Sequence, residues 1–166
     1  MIFKASMDTF TKNTTVIIST VIGLIFIFPL FTKDYTYPVF LIFIILGLYV
    51  ISFALKPLRY KINKNVISIE RLVNDVSFNI SDIKLIQKVE DLSALSSIRL
   101  FGIGGLFGFF GIFWNSKYGR MTYYATKKND SIMLITNQNK KIVITPDDKD
   151  AFLECFLTMK TAAGNQ

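Results

Sequence analysis

Two stretches near the start of the chain carry no charge: VIISTVIGLIFIFPLF, Val16 to Phe31, and VFLIFIILGLYVISFAL, Val39 to Leu55. They are apolar all round, whereas surface helices of a soluble domain are polar on one side. Each is near the lower limit of about 17 residues for a bilayer-spanning helix, and Thr14 and Thr15 can lengthen the first. Spans are therefore expected at about 14–31 and 38–55. The polar segment TKDYTYP, Thr32 to Pro38, is short enough to force an antiparallel hairpin, and Tyr35 and Tyr37 suit its interface. Lys33 and Asp34 cancel, while Lys4 and Lys12 precede the first run and Lys56, Arg59, Lys61 and Lys64 follow the second. That basic juxtamembrane group puts both termini in the cytoplasm and the loop outside. A cleaved signal peptide is the competing interpretation, but FPLFTKDYTYP offers no small-residue cleavage site.

Composition agrees with a membrane protein. Of 166 residues, 51% are hydrophobic and 19% charged, against about 25% charged in an average globular chain. The net charge of +7 comes from scattered lysines, without the basic stripe of a nucleic-acid binder. One cysteine, Cys155, and no histidine exclude an intrachain disulfide, a His/Cys zinc site and a histidine base.

From Pro57 the apolar pattern changes to period two. Tyr60 and Ile62, then Ile67 and Ile69, then Val76, Phe78 and Ile80, then Ile83, Leu85 and Val89 alternate with polar residues. These read as half-buried antiparallel strands separated by turns such as NKN at Asn63 to Asn65. MTYYAT (121–126), SIMLIT (131–136) and KIVIT (141–145) read as further strands in a meander of hairpins. Glu90 and Asp91 are adjacent, and LSALSS after them reads as a solvated loop. One helix closes the chain, with Thr145 as N-cap, Pro146 in the first position, and Asp147 and Asp148 facing the dipole. Its apolar stripe is Phe152, Leu153, Phe156 and Leu157, with Cys155 in or near the core, and a polar tail follows at 161–166.

The order of DIKLIQKV, RLFGIGGLFGFFGIFWNSKYG, TYYATKKNDSIMLIT and IVITPDDKDAFLECF resembles a bacterial pleckstrin-homology (PH)-like family of membrane-anchored proteins, across roughly 57–160. The resemblance implies a mainly-β PH-like sandwich or barrel closed by a C-terminal α-helix, after a transmembrane hairpin in 1–56. It places the chain in a bacterial inner membrane and gives it a non-enzymatic role. It does not imply phosphoinositide recognition. Eukaryotic lipid-binding PH domains set several basic residues on their first two strands, and here Ile67 to Arg71 holds one.

The glycine segment from Arg99 to Arg120 is the remaining puzzle. Its glycines miss the dinucleotide spacing, and no Lys-Ser or Lys-Thr follows as a P-loop needs. As a third span it would divide one sandwich between the two sides of a bilayer and leave open strand edges. Two interpretations remain. In one, the segment is a long connection or irregular hairpin whose phenylalanines fill the sandwich core, with glycines at bends or close approaches. In the other, some of Phe107, Phe109, Phe110, Phe113 and Trp114 touch the membrane or a partner, with Lys117 and Arg120 at headgroup level.

The expectation is a membrane-anchored, non-enzymatic binding or scaffolding module at the cytoplasmic face. It has no catalytic residue, cofactor or metal, and its partners are membrane lipid and a membrane protein or a second copy, not nucleic acid. The rivals are a membrane-bound enzyme and an accessory subunit of a transport complex. No acid, base and nucleophile group together to favour the first, and the spans lack the ionisable groups a transport path uses.

Overall fold

A computed structural model of the chain describes residues 1–27, 36–90 and 92–164. Most of the expected loop at 32–38, and the end of the first expected span, fall on 28–35, outside the described residues. Helix α1 runs Thr9–Ile27 and α2 runs Thr36–Leu55. By length and composition α1 can cross a membrane, and Phe40–Leu55 of α2 is a shorter apolar stretch. Both helices leave large apolar side chains uncovered, among them Val16, Ile17 and Leu24 on α1 and Phe40, Phe43 and Val50 on α2. The first helix begins five residues before the expected span because Asp8 caps it. Its Oδ1 accepts the Thr11 N–H at 2.8 Å, satisfying one of the donors a helix start leaves open.

Among the described residues ten strands follow or flank these helices: β1 Ile2–Lys4, β2 Arg59–Asn63, β3 Val66–Glu70, β4 Val76–Asn79, β5 Ile83–Val89, β6 Ile98–Gly104, β7 Phe109–Asn115, β8 Gly119–Ala125, β9 Ser131–Thr136 and β10 Lys141–Ile144. Helix α3, Lys149–Gly164, closes the chain. The first four strands form one antiparallel sheet in sequence order, and the others form a six-stranded sheet ordered β5-β9-β10-β8-β7-β6. The strand arrangement departs from the sequence expectation in two places. The segment before α1 pairs Phe3 with Tyr60 and so belongs to the β domain rather than to the helices. Three residues are too few to show periodicity, so only the tertiary pairing reveals this strand.

The second departure is that β8 and β9 are not a hairpin. Strand β10 lies between them, parallel to β8 and antiparallel to β9. SIMLIT is buried at nearly every position and needs a partner on both edges. The β8–β9 connection is pinned over the end of β10, where Thr145 Oγ1 accepts the Thr126 N–H at 2.9 Å. That task takes Thr145 out of the helix cap. Asp148 caps α3 instead, accepting the Ala151 N–H at 2.9 Å. On α3 itself Phe152, Cys155 and Phe156 are buried, while Leu157 is exposed.

The six-stranded sheet has a core on each face. One face meets the first sheet and α3, joining Tyr60, Ile62, Ile69, Leu134, Ile144 and Phe156. The other gathers Phe109, Phe113, Tyr123, Met133 and Val143 beneath Leu92 and Ala94. Alternation along β9 and β10 divides the side chains between the two. LSALSS is therefore not wholly solvated: Leu92 and Ala94 are its buried plugs. A fully buried leucine such as Leu92 contributes roughly 1.5–3 kcal/mol, enough to fix a loop that is otherwise polar. Tyr60 ties the sheets together, its hydroxyl donating to Tyr124 O at 2.7 Å and accepting from Thr145 N at 3.2 Å. Burial pushes that phenol up to about 12, against the Thr145 hydrogen bonds.

Candidate functional site

The glycine segment is a long hairpin of β6 and β7 whose tip reaches the two apolar helices. Its strands approach closely where Gly102 opposes Gly111, at φ +111° and +124°. A Cβ on Gly102 would stand 2.2 Å from Phe110 O, and one on Gly111 would stand 2.3 Å from Phe101 O. Both contacts are with paired backbone, which has no room to move. At the tip Gly105 N donates to Gly108 O at 2.8 Å, and Phe107 takes a left-handed φ of +58°. That turn aims Phe107 between the helices. Its N–H donates to Thr15 Oγ1 of α1 at 3.0 Å. Its ring stands edge-on to Tyr49 and Phe53 of α2, at centroid distances of 5.1 and 5.2 Å. The Lys56 ammonium lies 4.5 Å over Phe53 and 5.7 Å over Phe107. The helices are linked beside it by a Ser19–Tyr49 hydroxyl contact of 2.8 Å.

A second set of contacts fixes the start of α1. Phe10 stacks on Phe109 at 6.4 Å, and Lys128 Nζ lies 5.1 Å over the Phe10 ring. Asp8 Oδ2 accepts the Lys128 N–H at 3.0 Å while Oδ1 caps the helix. Partial burial works to raise the Asp8 pKa, but the Lys128 and Thr11 donors outweigh it and hold the carboxyl below its ordinary range. The joint therefore has three ties from α1 and its cap (Asp8, Phe10 and Thr15) and one aromatic socket from α2.

The residues expected at a membrane or partner surface separate. Phe107, Phe109, Phe110 and Phe113 are buried, Phe107 against the helices and the others within the sheet. Trp114 is 42% exposed, and with Lys117 and Arg120 it lies at the β7–β8 end of the sheet, away from the tip. Lys117 Nζ lies 5.3 Å over the Tyr118 ring. Of the basic juxtamembrane group, Lys56 joins the aromatic socket, Arg59 and Lys61 both pair with Glu70, and Lys64 forms the β2–β3 turn at φ +49°. The Glu70 carboxylate thus meets two of the cations that a phosphate would use.

Sequence reasoning missed the receiving half of the joint, Thr15, Tyr49 and Phe53, because polar and aromatic residues are ordinary near the ends of spanning helices. It also missed an apolar patch on the edge strand β6. Ile98, Leu100 and Phe101 are exposed there, and Trp114 pairs beside Ile98. The register shifts between Arg99 and Phe101, so Leu100 is an extra residue and period two fails. No group of three or more His, Cys, Asp or Glu side chains could hold a metal among the described residues.

The two packed sheets with a closing helix can be set beside known families. The family model described as "Bacterial PH domain" matches residues 58–159. The chain belongs to the bacterial PH domain family. PH domains are generally non-catalytic binding modules that commonly take lipids or proteins. Neither the curated proteins nor the solved structures contain a match to this chain. The family match begins after α2, so the helices and the tip's socket are features that the family's extent does not cover.

Proposed function

We propose that this bacterial PH domain is a membrane-anchored binding module, held by an α1–α2 hairpin in the plasma membrane with both termini and the β domain on the cytoplasmic side. The observation that carries this is Phe107 seated between Thr15, Tyr49 and Phe53. A domain attached only by a flexible linker has no reason to place a strained, buried aromatic at the foot of the helices. Lys56 over the same rings marks the water-facing end of that socket, where a lysine can keep its charge in contact with solvent. The joint would then turn the helix direction into a fixed orientation of both sheets.

What the module presents, on this account, is the β6 edge. Strand edges are usually blunted by charge, proline or a cover, but here Ile98, Leu100 and Phe101 are exposed on the edge strand β6, with Trp114 of β7 beside them, and the outer side of β6 has no partner strand among the described residues. Such an edge suits a protein partner that adds a strand and fills side-chain pockets. A photo-crosslinking residue at Phe101 in native membranes tests this, with one at Asn137 as control. A protein adduct at Phe101 alone is expected. The absence of any protein adduct at Phe101 would refute the binding surface.

A further inference from the structure

We propose that the β3–β4 turn, Arg71 to Asp75, is a second membrane contact beside α2. Leu72 and Val73 enter the apolar margin of the bilayer, and Arg71 meets a phospholipid phosphate. This rests on the membrane anchoring proposed above, and it concerns a turn that has no part in the Phe107 joint.

Turn tips usually carry polar residues. Here Leu72 and Val73 are 54% and 58% exposed. The turn that presents them is well built: Asp75 Oδ1 accepts the Arg71 N–H at 2.8 Å, and Asn74 takes the left-handed φ of +61° that reverses the chain. The two aliphatic side chains are therefore held outward by a closed turn.

The turn's position relative to α2 is fixed by backbone. Val73 N meets Ala54 O at 3.4 Å, at the final turn of the helix, where carbonyls have no donor within the helix. Leu58, also exposed, donates its N–H to Glu70 O at 2.9 Å and so stands next to Arg71. Exposed Val50, Ile51 and Phe53 on α2 lead to Leu58, Leu72 and Val73. An apolar surface continuous with a membrane helix fits lipid rather than water.

Arg71 supplies the charge at that level. Its guanidinium lies 5.7 Å from the Tyr124 ring and donates to Asn74 O. Its Nε is buried without a hydrogen-bond partner, so a phosphate would be met by the terminal nitrogens, and no described carboxylate pairs with the group. Arg59 and Lys61, by contrast, share Glu70. A guanidinium without a carboxylate, beside two aliphatic side chains, is suited to a phosphate ester above an acyl chain.

The test uses the full chain in phosphatidylcholine vesicles, in a Trp114→Phe background that removes the native tryptophan. Leu72→Trp is compared with Val50→Trp on α2, with ordinary and with acyl-chain-brominated lipid. The expected result is that Leu72→Trp loses as large a share of its emission to bromine as Val50→Trp does. Quenching at Val50 without quenching at Leu72 overturns this inference and leaves the anchoring intact. Quenching at neither position overturns both. If Leu72→Trp does not fold, Val73→Trp takes its place with the same outcomes. Adding Arg71→Glu, which sets a carboxylate against the phosphates, is expected to reduce quenching at Leu72→Trp; unchanged quenching overturns the role given to Arg71.

Discussion

Phe107→Ala is the perturbation that most sharply separates a joint from an ordinary core contact. The side chain is 6% exposed and meets two rings edge-on at 5.1 and 5.2 Å. Each aromatic pair is worth about 0.5–1.5 kcal/mol beyond burial, and deleting a buried Phe costs about 3–5 kcal/mol in all. About 3 kcal/mol is the working figure, since the vacated socket can partly close. Phe107 belongs to neither sheet core, so this loss falls on opening of the tip and not on unfolding of the domain. Amide hydrogen exchange of the full chain reads it directly. The Gly105 and Phe107 N–H groups, bonded to Gly108 O and Thr15 Oγ1, should exchange roughly a hundredfold faster at about 1.4 kcal/mol per decade. Amides of β9 and β10 should not change. Phe107→Gly should be milder than Phe107→Ala by roughly 1 kcal/mol, because the φ of +58° suits glycine. Equal acceleration throughout the six-stranded sheet, or no change at the tip, refutes the reasoning.

Other changes have equally definite outcomes. Gly111→Ala should destabilise the domain by at least about 2 kcal/mol in denaturant unfolding, since its Cβ meets Phe101 O at 2.3 Å; Gly23→Ala, with open space around it, should be neutral or mildly stabilising. Tyr60→Phe leaves Tyr124 O and Thr145 N without their side-chain partner, a loss of about 1–3 kcal/mol in the same assay. The Tyr60 pKa of about 12 also has a pH consequence. The unfolded phenol ionises near 10 while the folded one resists, so its stabilisation is complete below pH 10. It falls by about 2–3 kcal/mol as pH rises to 12, and Tyr60→Phe should remove that part of the alkaline loss. Asp8→Ala should cost about 1–2 kcal/mol by removing the α1 cap and the Lys128 tie. Because Asp8 is held low, its contribution is present above the ordinary carboxylate pKa and is lost as pH falls through the folded value.

Where a segment's own pattern matches its environment, the sequence was sufficient. The alternation of Tyr60 with Ile62 and of Ile67 with Ile69 predicts β2 and β3, and all four side chains are fully buried. The uncharged runs likewise predict α1 and α2. What escaped depends on contacts between distant segments. Strand β1 exists because β2 offers Tyr60 to Phe3, and Asp148 caps α3 because Thr145 is engaged with Thr126. The glycine segment was readable as a long connection or irregular hairpin with buried aromatics, but its register was not. Gly102 and Gly111 are nine positions apart in sequence and adjoin only once register is set. The candidate joint was half legible: Phe107 was singled out, while its socket lay in runs that look uniform from composition alone.

The central claim is that the helices cross a membrane and the β domain lies on the cytoplasmic side. Accessibility of single cysteines in intact bacterial cells tests it, in a Cys155→Ser background, with Lys33→Cys between the helices and Asn137→Cys in the β9–β10 turn. A membrane-impermeant maleimide should label Lys33→Cys from outside, and should reach Asn137→Cys only after the cells are opened. The protein should also stay in the pellet after alkaline carbonate extraction. Labelling of Asn137→Cys in intact cells, or release by carbonate, would contradict the account.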